Sequence, residues 1–68
     1  MNTVHDRLGY DLRRLRRDKG WTQERLAKKL RMRQQRISLM ERGRINFTLN
    51  TLRRIAAVFN RDLRIDFK

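Results

Sequence analysis

The chain has 68 residues with no cysteine, no proline and one histidine, and it sets 19 Lys and Arg against 7 Asp and Glu, a formal net charge of +12. A chain of this length is expected to form one domain, residues 1–68, around a small core. The lack of cysteine excludes disulfides and the usual Cys/His zinc frameworks. No apolar stretch reaches the roughly 18 residues of a membrane span, and MNTVHDRLGY lacks the apolar run of a signal peptide, so a cytoplasmic location is expected. Positive charge in such excess repels itself in a compact fold and calls for an anionic partner. Nucleic acid is the first candidate, an anionic membrane surface and an acidic protein the next. Arg outnumbers Lys, which favours forked contacts to phosphate.

The spacing predicts a first helix from about Val4 to Asp18, with Thr3 and Asp6 fitting a capping box and Leu8, Leu12 and Leu15 in one apolar stripe. Arg13, Arg14 and Arg17 occupy the other face. Gly20 stops this helix, and Trp21 is expected to fold back on the core. Thr22 is a good N-cap for a second helix, with Leu26, Ala27 and Leu30 inward and Glu24, Arg25, Lys28 and Lys29 outward. The pattern breaks at Arg31-Met32. A third helix is expected from about Arg33 to Arg42, with Ile37, Met40 and Glu41 on one side and Gln35, Ser38, Leu39 and Arg42 on the other. Gln34 lies at the flank.

Gly43 ends the third helix, and Arg44 to Phe47 reads as a loop. Thr48 caps a fourth helix, Leu49 to about Phe59, whose inner face is Leu49, Leu52, Ile55, Ala56 and Phe59 and whose outer face is Asn50, Arg53, Arg54 and Ala57. In the tail, Leu63, Ile65 and Phe67 alternate with charged residues, the period of a strand over 63–67. A single strand needs a partner for its backbone groups. The same strand of a second copy is the simplest one, which makes Leu63, Ile65 and Phe67 dimerisation residues. The expected class is all-α, four to five helices with a short C-terminal β-strand.

Two short helices joined by a tight turn in a strongly basic domain have the geometry of a helix-turn-helix, here about residues 22–42. The major groove of B-DNA, about 12 Å wide, admits the second of the two helices. Gln34 and Gln35 then suit base reading, because an amide donates to and accepts from adenine at once. Ser38 can bond to either type of base, and Leu39 can pack on a thymine methyl. A solvated helix face is the plain alternative for these four residues, and a scattered surface leucine is the plain alternative for Leu39.

From Leu8 to about Phe59 the sequence resembles the Cro/C1-type (XRE-family) helix-turn-helix domain of phage repressors and many bacterial regulators. The resemblance is carried by LRRLRRDKGWTQERLAKKL, by ISLMERG and by TLNTLRRIAAVF. DLRIDF resembles the C-terminal dimerisation strand of the antitoxin branch of that family. The resemblance implies that Gln23 holds a phosphate and buttresses the recognition helix, and that Gln34 and Gln35 read bases. Ser38 and Leu39 would set the target sequence. Arg33, Arg36, Arg42, Arg44 and Asn46 would lie on or near the phosphate strands. Arg16 and Glu41 would form a buried ion pair, without which a buried carboxylate is expensive.

Two positions depart from the family pattern. Arg31 stands where the turn usually has glycine, at a cost of about 1 kcal/mol if the backbone there is left-handed. Phe47 stands where proline usually follows Asn46, so an aromatic ring is expected to pack the loop.

No catalytic constellation is evident: the acidic residues are scattered, there is no cysteine nucleophile and no phosphate-cradling glycine loop. His5 reads as a surface residue rather than a ligand. A non-enzymatic protein without cofactor or metal is expected. It would bind double-stranded DNA as a homodimer on a pseudo-palindromic operator and act as a repressor, in a bacterium or phage. The alternatives are an antitoxin whose main partner is a toxin protein, a mobile-element or phage controller acting as activator, and a nonspecific nucleoid or RNA binder.

Overall fold

The computed structural model describes residues 4–59. They form four helices, α1 (Val4–Asp18), α2 (Gln23–Leu30), α3 (Gln34–Glu41) and α4 (Leu49–Val58), and no strand occurs among the described residues. Thr3 and the strand residues Leu63, Ile65 and Phe67 lie outside the described residues.

The helix boundaries follow local chemistry. Thr22 and Thr48 adopt extended backbone, and each hydroxyl accepts the N–H three residues on, from Arg25 and Thr51 respectively, both at 3.1 Å. Each cap satisfies one of the four amides that a helix N-terminus leaves unbonded. Gly20 and Gly43 take the left-handed backbone expected of helix stops, both at φ 71°. Arg31 takes it as well, at φ 55° and ψ 46°, and is the only non-glycine residue to do so among those described.

The core gathers Leu12 from α1, Leu26, Ala27 and Leu30 from α2, Ile37 and Met40 from α3, Phe47 from the loop, Ile55 from α4, and Phe59 beyond its end. Five of these side chains (Leu12, Leu26, Leu30, Ile37 and Met40) are almost wholly excluded from solvent. Complete burial contributes about 1.5–3 kcal/mol for each aliphatic side chain. Trp21 is half-buried against the Phe59 ring, centroid to centroid 5.2 Å, and the Lys29 ammonium lies 4.7 Å from the Trp21 centroid. Gly9 allows α1 to approach α3 closely, because a Cβ there would stand 2.3 Å from the Met40 carbonyl oxygen.

Three expectations are corrected. Leu49 does not face inward: it is 44% exposed, and Thr51 takes the inner position at 5%. Thr51 tolerates burial because its hydroxyl accepts from the Thr48 hydroxyl at 2.9 Å. Arg54 does not face solvent; it is half-buried, and its Nη2 donates to the Leu30 carbonyl. His5 is half-buried as well. Its ring stacks on Phe47, and its Nδ1 accepts the Phe47 N–H at 3.3 Å, which packs the loop against the start of α1.

Candidate nucleic-acid interface

α3 is built differently from the helices that flank it. Its N-cap, Arg33, has extended backbone but makes no side-chain cap bond, and no acidic residue stands in its first turn. The first amides of α3 therefore point outward without a side-chain acceptor. Such a helix end carries a partial positive charge and attracts anions.

One side of α3, Ile37 and Met40, is fully buried against α1 and α2. The opposite side presents Gln34, Gln35, Leu39 and Arg42 as exposed residues, with Ser38 half-buried beside them. Leu39 is 40% exposed, an apolar side chain held at the surface of a basic face.

The lower edge of α3 is fixed by a polar cluster. Arg16 on α1 donates from Nε to Glu41 Oε2 at 2.7 Å and from Nη2 to Oε1 at 3.1 Å, a forked pair. A third guanidinium nitrogen, Nη1, donates to the Trp21 carbonyl at 2.7 Å. Gln23, the first residue of α2, donates from Nε2 to Glu41 Oε1 at 3.2 Å. The side chain of Glu41 is 3% exposed and that of Arg16 12%. One carboxylate thus ties α1, α2 and α3 together, and its charge is matched where it is desolvated.

Cations frame the exposed side of α3. Arg33, Arg36, Arg42 and Arg44 are all exposed, as is Asn46 in the loop. Between Arg25 and Phe59 the only carboxylate in the sequence is Glu41, and it is engaged by Arg16 and Gln23. No acid on this stretch opposes an approaching polyanion. An open groove of about 730 Å³ runs beside α3 toward the start of α4, bordered by Gln35, Arg36 and Leu39 on one side and by Thr48 and Asn50 on the other. The remaining described ion pair, Lys28 with Glu24 at 3.9 Å, is exposed at both ends and contributes little to stability.

The residues singled out from sequence thus fall into two groups. Gln34, Gln35, Ser38, Leu39, Arg33, Arg36 and Arg42 lie on or at the ends of one short helix, with Arg44 and Asn46 in the loop that follows it. Gln23, Arg16 and Glu41 lie behind them as a support. Sequence reasoning overlooked Gly9, His5 as the anchor of the loop, and Arg54. Only Gly9 carried a signal, a glycine inside an otherwise strong helical pattern.

Two helices joined by a three-residue turn, the second with polar residues outward amid arginines, define a helix-turn-helix DNA-binding protein. Comparison with known proteins gives the family. The helix-turn-helix family model HTH_3 matches residues 12–65, and the chain belongs to that family, as a regulator of the Cro/C1 type. Among solved structures, the chain is similar to the clp gene regulator ClgR from C. glutamicum, with a TM-score of 0.85 and 29% identity over 91% of this chain and 80% of that one. No curated protein sequence matches the chain. At this level the protein is a DNA-binding transcription regulator. Among the described residues no helix is long and apolar enough to cross a membrane.

Proposed function

We propose that this chain is a sequence-specific repressor, a single domain without enzymatic activity, that binds a pseudo-palindromic operator as a homodimer in the cytoplasm. The observation that carries the reading is the outer side of α3, where Gln34, Gln35 and Leu39 stand exposed within a frame of arginines and no unpaired acid. Arg33, Arg36, Arg42, Arg44 and Asn46 hold phosphates and set the register of the protein on the duplex, and Gln23, which buttresses α3 through its bond to Glu41, adds a phosphate contact at the start of α2. Gln34, Gln35, Ser38 and Leu39 discriminate base edges. The phosphate contacts release counterions, so affinity falls steeply with salt. Two copies place their α3 helices one helical turn apart, which requires half-sites about 34 Å from centre to centre. Repression follows by occupying a promoter.

The test is selection from a random duplex library at near-physiological salt. An enriched inverted repeat supports a dimeric operator reader. Enrichment of a single half-site would reject the dimer. Tight binding with no enrichment would reject base reading altogether and leave a nonspecific binder.

A further inference from the structure

The turn between α2 and α3 sets the angle at which α3 is presented, and its backbone bonds are nearly all local. Met32 N–H donates to the Ala27 carbonyl at 2.9 Å and Arg31 N–H to the Lys28 carbonyl at 3.2 Å. These are the two bonds of a Schellman-type helix end. The carbonyl of Leu30, on the last helical residue, lies outside that pattern and has no helical partner to accept from. It is reached from a distant element: Arg54 on α4 donates to it from Nη2. The same turn holds Arg31 in the left-handed conformation that glycine would take without strain. The place where the backbone is least content locally is therefore the place where a long-range bond is supplied.

We propose that Arg54 is a positioning residue for DNA reading. By holding the Leu30 carbonyl it locks the turn to α4, so that the exposed side of α3 and the start of α4, which border one groove, keep a fixed separation. The inference rests on the operator-reading function proposed above. It differs from a phosphate-binding role for Arg54, which the neighbouring Arg31, Arg33 and Arg36 on the same groove would equally suggest.

The experiment compares Arg54→Ala and Arg54→Lys in the full chain. Each variant is titrated against the duplex recovered by selection and against a scrambled duplex of equal length, across a range of salt. Amide hydrogen exchange is followed on the free protein. Arg54→Ala should lower affinity for the selected duplex on the order of tenfold and affinity for the scrambled one little, with the salt slope kept. The Arg31 and Met32 amides should exchange faster while those of α1 do not. Arg54→Lys, whose ammonium can also donate to the carbonyl, should restore the preference.

Equal losses on both duplexes with a salt slope shallower by about one unit would make Arg54 a phosphate ligand and overturn the proposal. So would unchanged exchange at Met32, or a uniform rise in exchange across all four helices. Failure of the unmodified protein to prefer the selected duplex would overturn the operator reading instead. The exchange measurement would then decide the tie to the turn by itself.

Discussion

α2 and α3 are each eight residues long, sit side by side, and begin in opposite ways. α2 has a threonine cap, an acid in its first turn, basic residues in its last, and three fully buried side chains on one stripe. Each of these satisfies the helix from within the protein. α3 lacks the cap bond, the leading acid and the trailing base, and its apolar residues do not line up as cleanly. Its N-terminal end is left without a side-chain cap, while its C-terminal end is closed by Gly43 N–H to the Met40 carbonyl and Arg44 N–H to the Leu39 carbonyl, as α2 is closed at Arg31 and Met32. The difference teaches that in a domain this small, stability is concentrated in the scaffold, and α3 is held by its neighbours more than by itself.

The comparison can be broken most severely at the joint between the two helices. Replacing Glu41 by Ala removes the acceptor of both Arg16 and Gln23 and leaves a desolvated guanidinium; stability should fall by about 3 kcal/mol in urea unfolding. A loss under about 1 kcal/mol would mean that water or another acceptor replaces the carboxylate.

The next effect is on reading rather than on stability. Gln35→Ala should weaken binding to the selected operator by about 1–3 kcal/mol and change binding to random DNA little. Equal weakening on both would put Gln35 on the backbone of the duplex.

Smaller effects sharpen the contrast between the helix ends. Thr22→Ala should cost about 1 kcal/mol of stability. Arg33→Ser should do the reverse at the end of α3 that lacks a cap: thermal unfolding should show a gain of about 0.5–1 kcal/mol, while DNA affinity drops. A variant that gains both stability and affinity would show that this helix end is not reserved for phosphate. The smallest expected change is at the periphery. Arg42→Ala should weaken all sequences alike and flatten the salt slope by about one unit, a result read from filter binding at several salt concentrations.

The helix ends were the most legible part of the molecule. Thr22, Thr48, Gly20 and Gly43 are residues whose own chemistry specifies a cap or a stop, so their positions in sequence became boundaries in space. The grouping of Gln34, Gln35 and Leu39 was legible for the same reason, since one helical period places them. Rotational phase was harder to read. Leu49 is apolar and Thr51 polar, yet the threonine is inside, because a short helix rotates to satisfy its neighbours and the Thr48 hydroxyl supplies the bond that burial demands.

Contacts across elements left no trace in spacing. Nothing local to Arg54 names Leu30 as its partner, and nothing in His5 names Phe47. The left-handed backbone at Arg31 was expected from the resemblance to a family that carries glycine there, and the structure places the arginine in that conformation. Arg31→Gly should therefore stabilise the fold by about 1 kcal/mol, measured by thermal unfolding. No gain would mean that the freedom glycine adds to the unfolded chain cancels the relief of strain.

The tilted contact of Trp21 with Phe59, beneath the Lys29 ammonium, has a practical consequence. It is the only tryptophan in the chain, and it touches both α2, through Lys29, and the end of α4, through Phe59. Its emission therefore reports, without any label, whether the two ends of the scaffold are still closed on each other. A colour change during a DNA titration would signal that the scaffold shifts when the duplex arrives. A constant colour would signal that the protein meets its site already in its final shape.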